Sequence, residues 1–285
     1  MKTKIKIYLA IVLLTILSVV PCTTFASELK IEQIQIEQEN YTIPSYFFNL
    51  NSLNTSDNTC VYVYTPNNTA VPCYTNVTAL TEEDINDIIS DTALYQNITI
   101  VGNYTSNYNC HSYAWHSRLT SNDKWMNDPS AYFTDGSYFE STGQVGDIVV
   151  YFNMYNEPIH SGVVIARQSG TQDNTFGVLN LLTIRSKWGK GYLIEHNGLN
   201  CPYVGEGFSS FVTSYVKYYS HTHRYSSTIP YSSSFHRSYC TYSVCSHYND
   251  EGHTFIQVGL KQRCSVCGYI YGGSTIQPWN LREVA

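Results

Sequence analysis

Two groups of residues in this sequence could carry out chemistry, and the first is centred on a cysteine in NYNCHSYAWHS, residues 107–117. Cys110 follows Ser106, Asn107 and Asn109, whose side chains can cap the free backbone N–H groups of a helix. The residues after it predict a short helical run. A thiol at a helix N-terminus is stabilised as the thiolate by the helix dipole. We therefore expect Cys110 to be a nucleophile.

A cysteine nucleophile needs a base that removes the thiol proton and later protonates the leaving group. His160 is the best candidate, because it follows the sharp MYNEP turn and begins a strand whose edge can face the cysteine helix. A third polar group should orient the imidazole. Ser186, at the end of a later strand, is the first choice, and His196 on the following strand is the second. His111 and His116 are expected to pack or to lie on the helix surface.

The second group is a concentration of cysteines and histidines near the C-terminus. RCSVCGYI contains a CxxC-Gly knuckle, the turn that folds two thiolates around one metal ion. The group resembles a zinc ribbon or treble-clef finger, with His236 or His253 as substitute ligands for a structural zinc ion. Two disulfides are the alternative, since an exported chain meets oxidising conditions. The four cysteines are Cys240, Cys245, Cys264 and Cys267.

Periodicity along the chain predicts one clear helix and a set of antiparallel strands. Residues 81–96 form the helix, in which Thr81 can cap the N-terminus and Asp84 occupies the capping-box position. Cys60 and Cys73 flank a predicted hairpin and could pair. We expect an α+β fold in which the strands bring the base to the cysteine helix. The strands are predicted over 59–64, 147–152, 161–166, 179–184 and 192–196.

Residues 1–26 are expected to be a secretory signal peptide. Three lysines precede an apolar run over 7–20, and Thr24 and Ala26 occupy the small-residue positions before a cleavage point. The run is short for a membrane span. The formal net charge is −6 at pH 7 and becomes more negative once the lysine-containing leader is removed. Nucleic acid is therefore an unfavourable partner. We expect a secreted or cell-wall-associated protein with no membrane attachment after cleavage.

The order of motifs also resembles a known group of enzymes. YNCHSYAW, GDIVVYF, HSGVVI, SKWG and EHNGLNCPY follow one another along residues 80–205. This order is similar to that of the CHAP and NlpC-type amidase superfamily, which comprises secreted papain-like cysteine enzymes. The resemblance implies a papain-like α+β domain, with the cysteine helix packed on an antiparallel sheet. It also implies Cys110 as nucleophile and His160, shortly after Gly146 and Asp147, as base.

The same resemblance implies hydrolysis of amide bonds in peptidoglycan peptides, or between peptide and sugar, with no catalytic cofactor. The family often has Glu, Asn, Gln or His as the third polar residue, whereas Arg185, Ser186 and Lys187 occupy that region here. An extracellular peptide is the other substrate class that we expect. The residues expected to contact substrate are Tyr108, Trp115, Trp188 and His196.

These predictions divide the chain into five parts and leave two rival functions. A non-catalytic extracellular binding protein on an amidase-like scaffold is the alternative, supported by the unusual third position and the 26 tyrosines. An acyltransferase using the same Cys–His pair is the other. The parts are a signal peptide (1–26), an N-terminal arm or subdomain (27–79), an amidase domain (80–223), a linker (224–235) and a Cys/His-rich module (236–285).

Overall fold

A computed structural model of the chain describes residues 59–272, except 76, 171, 173 and 205–211. The expected signal peptide and most of the expected N-terminal arm lie outside the described residues. Everything described falls within one compact unit, residues 40–285. None of the described helices has the length and apolarity needed to cross a membrane.

The described residues form fifteen strands and four helices. The helices are α1 (Glu82–Thr92), α2 (Cys110–Trp115), α3 (Ser130–Thr134) and α4 (Thr175–Asn180). The strands are β1 (Thr59–Tyr64), β2 (Ala70–Thr75), β3 (Thr99–Gly102), β4 (Trp125–Met126), β5 (Phe139–Ser141), β6 (Ile148–Phe152), β7 (Pro158–Arg167), β8 (Leu182–Lys187), β9 (Leu193–Asn197), β10 (Tyr215–Ser220), β11 (Ile229–Pro230), β12 (Phe235–Tyr239), β13 (Tyr248–Gly252), β14 (Phe255–Val258) and β15 (Lys261–Cys264).

The expectation of a papain-like α+β fold is wrong, because the protein is mostly antiparallel β-sheet, with 37% strand and 13% helix. Three of the four helices have only five or six residues. Several strands carry no clear period-2 pattern. The clearest case is β13 (YNDEG), which is exposed at all five positions and is held by its pairing with β12. Such strands depend on long-range partners, so local periodicity underestimates the strand content.

A seven-stranded sheet forms the centre of the protein, in the order β3-β9-β8-β7-β6-β10-β5. β6 is buried at every position, and its alternating side chains enter two separate cores. Ile148, Val150 and Phe152 belong to one core with Trp115 of α2. Val149 and Tyr151 belong to a second core on the opposite face, together with Trp188 and Tyr203.

Three smaller sheets surround this centre. β1, β2 and β4 form one, β11, β12 and β13 form another, and β14 pairs with β15 in a hairpin. The predicted hairpin over the first two strands is confirmed, with Tyr64 paired to Ala70 beside the turn. Cys73 does not pair with Cys60, because its thiol is buried and free.

Helix predictions succeeded where a cap was recognised. Thr81 is the N-cap of α1, and both reciprocal hydrogen bonds of the capping box with Asp84 are present. The strand predicted over 179–184 is correct only in its second half. Its first residues belong to α4, which Asn174 caps by accepting the backbone N–H of Gly177 at 2.7 Å. That cap overrides the apolar run that follows it.

Candidate functional sites

Cys110 is the first residue of α2, and two features of Asn109 set its position. The Asn109 side chain caps the helix by accepting the backbone N–H of Ser112 at 3.1 Å. Its Nδ2 donates to the carbonyl oxygen of Met126 at 2.6 Å, so the cap is also anchored to β4. A six-residue helix has a small dipole, so the local N–H groups matter more than the helix as a whole.

α2 is attached to β7 through one serine. The Trp115 indole donates to Ser161 Oγ at 3.1 Å, and His111 Nδ1 lies 2.8 Å from the same oxygen. The backbone of Pro158 also lies beside the His111 ring and favours its protonated form, although burial lowers the pKa of this histidine overall. These contacts fix the cysteine helix over β7.

The Cys110 thiol is buried, with 5% of the residue exposed. Burial raises its pKa to about 11, although the backbone N–H groups of Ser161 and His111 and the Lys187 ammonium favour the thiolate. Desolvation therefore outweighs the stabilisation expected at a helix N-terminus. The hydrogen bond from Ser161 also locates the sulfur, because that N–H belongs to the peptide bond that follows His160.

His160 is fully buried, and it lies on the other face of the sheet from the Ser161 side chain. It pairs across the strands with Tyr151, whereas Ser161 pairs with Val150. Its ring stacks on that of Tyr203, with centroids 3.8 Å apart and planes at 11°. In the described part of the chain, neither ring nitrogen has a hydrogen-bond partner. Burial and the neighbouring imidazoles hold the pKa of His160 well below its usual range.

Ser186 and His196 are close to each other but neither hydrogen-bonds to His160. Ser186 Oγ lies 2.8 Å from His196 Nε2, and His196 Nδ1 lies 2.8 Å from the carbonyl oxygen of Asn197. Because a carbonyl can only accept, Nδ1 carries the proton and Nε2 accepts from Ser186. Both expected orienting residues are thus occupied with one another, and stacking on Tyr203 holds the His160 ring instead.

The four residues expected to contact substrate have different surroundings. Trp115 is 1% exposed and packs among core aromatics, and Trp188 is fully buried against Tyr95 and His196. His196 is buried as well. Tyr108 alone of the four lines a described pocket, a cavity of about 380 Å³ beside α2.

Lys187 is a further residue of this region, and the sequence analysis gave it no role. It is fully buried, and its Nζ donates to the carbonyl oxygens of Thr105 at 3.1 Å, Gly189 at 2.9 Å and Gly191. Burial lowers its pKa to about 7, opposed by the thiol of Cys110. Three carbonyls around one ammonium explain how a lysine is tolerated inside the protein.

The four cysteines of the C-terminal segment do not form a single site. All four are free thiols, so the two-disulfide alternative is not formed. They divide into two clusters with two histidines each, and the four ligand atoms of each cluster lie within 4.8 Å of one another. The first cluster consists of His221, His223, Cys240 and Cys245, and the second of His236, His253, Cys264 and Cys267.

The sulfur–nitrogen distances in both clusters fit a metal ion bound tetrahedrally. They are 3.5 Å (Cys240–His221) and 3.6 Å (Cys245–His223) in the first cluster, and 3.8 Å (Cys264–His236) and 3.5 Å (Cys267–His253) in the second. Metal–sulfur bonds of about 2.3 Å and metal–nitrogen bonds of about 2.0–2.1 Å give an edge of about 3.5 Å in a tetrahedron. These groups could hold a metal ion.

The strands supply the cluster ligands at their ends. His221 and His223 follow β10 closely, and both belong to the histidine-rich and cysteine-rich part of the sequence but were not predicted as ligands. The HxH spacing was the available signal. In the second cluster the CxxC knuckle after β15 turns at Gly268, whose φ is 78° and whose N–H donates to the Cys264 carbonyl. Burial opposes ionisation of Cys264, but N–H groups of this turn and the His253 side chain lower its pKa to about 5. A thiolate at this position favours metal binding.

The three buried histidines of the main domain predict acid sensitivity. The pKa values of His111 and His196 are lowered to about 4 by burial, and burial also holds the pKa of His160 well below its usual range. The unfolded chain binds protons below pH 6.5 and the folded chain does not. The free energy of unfolding should therefore be highest above pH 6.5. Between pH 6.5 and 4 it should fall by up to about 1.4 kcal/mol per pH unit for each histidine.

Urea unfolding at pH 7, 6 and 5 measures this slope, with metal content followed at each pH because ligands also take up protons. A His196→Gln variant should reduce the slope by about one proton. Constant stability from pH 6.5 to 5, with metal still bound, would contradict the prediction.

Comparison with known proteins gives no relative for this arrangement. The chain matches no protein-family profile, no curated protein and no solved structure.

Proposed function

We propose that the protein is a cysteine hydrolase that cleaves amide bonds, with Cys110 as nucleophile and His160 as base. One observation carries the proposal. Among the buried imidazoles of this domain, His196 has both ring nitrogens paired and His111 has Nδ1 paired, whereas His160 has neither paired among the described residues, so it is not hydrogen-bonded to the Cys110 sulfur either. Leaving a buried polar group unpaired is unfavourable, so such exceptions call for a functional explanation.

The thiol supports the same proposal by its position. Its sulfur accepts the N–H of Ser161, one peptide bond from His160, and the Lys187 ammonium favours its anionic form. Burial disfavours both the thiolate and the imidazolium when they are separate. Because the structure has no hydrogen bond between the Cys110 sulfur and His160, the proposal requires the two groups to approach each other when substrate binds. A proton then passed from sulfur to imidazole creates the two charges as a pair, which reduces that penalty.

The reaction then follows the usual course of a cysteine nucleophile. His160 takes the thiol proton, the sulfur attacks the carbonyl carbon, and the C–N bond breaks as the imidazolium returns the proton to the departing amine. Water, activated by the same histidine, hydrolyses the thioester and regenerates both residues. Peptidoglycan peptides, or other extracellular peptides, are the proposed substrates. Tyr203 orients the imidazole by stacking, in the role first expected of Ser186.

Covalent labelling with iodoacetamide tests the pairing, and the chain contains its own controls. Cys73 and Cys201 are buried free thiols whose pKa values burial raises to about 12. The lower pKa of Cys110 alone accounts for about a tenfold faster reaction, and assistance by a neighbouring base should raise the difference to at least about a hundredfold. His160→Gln should remove the part of the difference that exceeds about tenfold. Equal rates for the three thiols in the wild type, mapped by peptide mass spectrometry, would exclude His160 as the base.

We also propose that each Cys/His cluster holds one structural zinc ion. Two thiolates and two imidazoles are a common zinc set, and four protein ligands leave no open position for a substrate. The support is the agreement of all four sulfur–nitrogen distances with a tetrahedral edge. The bound ions replace the single four-cysteine zinc site that the sequence predicts.

A further inference from the structure

The pocket beside α2 contains two arginines with different degrees of charge compensation. Arg185 is held by Glu195, with Nε at 2.9 Å and Nη2 at 2.6 Å from the same carboxylate oxygen, and by the Tyr113 hydroxyl. Arg118 has no such partner. Within the described chain no carboxylate lies within ion-pair distance of Arg118, and its enclosed Nε donates no hydrogen bond.

Other groups around Arg118 do not neutralise it. The titratable groups that act on its charge are the hydroxyls of Tyr113 and Tyr138, the Cys245 thiol and the Arg185 guanidinium. Tyrosines are neutral near pH 7. If the first cluster binds a divalent ion, its two thiolate charges are cancelled by that ion. The pocket is therefore left with one uncompensated, largely desolvated positive charge, which is costly without an anionic partner.

The pocket is large enough for a small polar group that is attached to a peptide chain. Its volume is about 380 Å³, and both arginines line it together with Tyr104, Tyr108, Tyr113 and Leu193. Tyr108 is two residues before Cys110, so the pocket adjoins the loop that carries the nucleophile. A planar guanidinium prefers planar, bidentate acceptors, and one net positive charge matches a monoanion.

We propose that this pocket binds a carboxylate group through Arg118. The inference rests on the proposed function in one respect, since the carboxylate would belong to the amide substrate. The hydrolase would then prefer acidic peptides over neutral ones. Arg118 is a binding residue in this proposal and takes no part in the proton transfers at Cys110.

Equilibrium binding tests the proposal without requiring turnover. The probes are N-acetylglutamate α-amide, which has a side-chain carboxylate, N-acetylglutamine, which has a terminal one, and the neutral N-acetylglutamine amide. Wild-type protein and Cys110→Ala should both bind at least one carboxylate about tenfold or more tightly than the neutral probe. The carboxylate probe that binds more tightly shows whether the pocket recognises a side-chain carboxylate or a terminal one.

Variants separate Arg118 from general charge effects. Arg118→Met should abolish the preference, Arg118→Lys should retain part of it, and Arg167→Met, at an arginine outside the pocket, should leave it unchanged. Near-ultraviolet circular dichroism and metal content verify the fold, and the wild-type and Arg118→Lys measurements remain decisive if Arg118→Met misfolds. Equal binding of all probes by the wild type overturns the proposal, as does an unchanged preference in folded Arg118→Met. If the protein prefers carboxylate probes but Cys110 shows no enhanced reactivity, the hydrolase proposal is wrong and the carboxylate-binding proposal still holds.

Discussion

Removal of metal from the two Cys/His clusters should unfold the segment after β10 and lower the melting temperature by more than about 10 °C. This segment has little apolar surface to bury. β13 is exposed at every position, and three of the four residues of β14 are exposed. Two thiols and two imidazoles held within 4.8 Å in each cluster have a metal ion as their natural common partner. Structural zinc contributes about 10–16 kcal/mol of binding energy in small domains, and that energy is also folding energy.

Metal analysis and calorimetry measure this effect together. The native chain should contain two zinc ions, and Cys240→Ser and Cys264→Ser should each lose one. Cys201→Ser is the matched control, because it alters a buried free thiol outside both clusters and should keep two. An unchanged melting temperature after chelation, with zinc shown to have left, would mean that the clusters are not structural metal sites.

Replacing the nucleophile should have the second large effect. Cys110→Ala is expected to lower amide hydrolysis by at least about 10³-fold, because no other group can form the thioester. The fold should be retained, since the substitution removes only the buried thiol group at the start of α2. Cleavage of muropeptides, followed by mass spectrometry of the products, measures the loss and identifies the bond.

Cys201→Ala is the control for this substitution, since it removes an equally buried thiol and should retain activity. A folded Cys110→Ala variant with full activity would disprove the assignment of the nucleophile. Wild-type protein that binds cell-wall fragments without cleaving them would favour the rival binding function. Products in which the acyl group is joined to an added amine would favour the acyltransferase.

Local signals in the sequence predicted local structure well. The capping box at Thr81, the first hairpin and the strands predicted over 147–152 and 161–166 all occur, since neighbouring residues determine them. His160, however, lies inside β7, a central strand, and not at a sheet edge. The fold class was wrong because it depends on pairings that local pattern does not contain. β3 joins β9 across about ninety residues, and β10 fits between β6 and β5. No periodicity in a single strand specifies such partners.

The candidate sites likewise combine features that local sequence predicts with features that depend on long-range strand pairing. The spacing of the tail cysteines predicted a metal site, and the structure places these cysteines in groups that could hold a metal ion, but in two groups rather than one. His221 and His223 belong to the end of β10, and only the folded sheet brings them to Cys240 and Cys245. The face on which His160 lies also depends on its register with Tyr151, and a shift of one residue would reverse it.

The candidate ligands of the two clusters occupy overlapping spans of the chain, and this order has a mechanical consequence. The first cluster spans residues 221–245 and the second spans 236–267, so His236 lies inside the span of the first. Tandem zinc fingers close their loops one after the other, whereas metal ions bound to these two clusters would form crosslinks whose loops overlap at β12. Cleavage between residues 245 and 253 would thus place His236 on one fragment and the other three ligands of the second cluster on the other fragment. With both ions bound, the segment should resist proteolysis and mechanical unfolding as a single unit. Neither half of it should fold as a separate fragment.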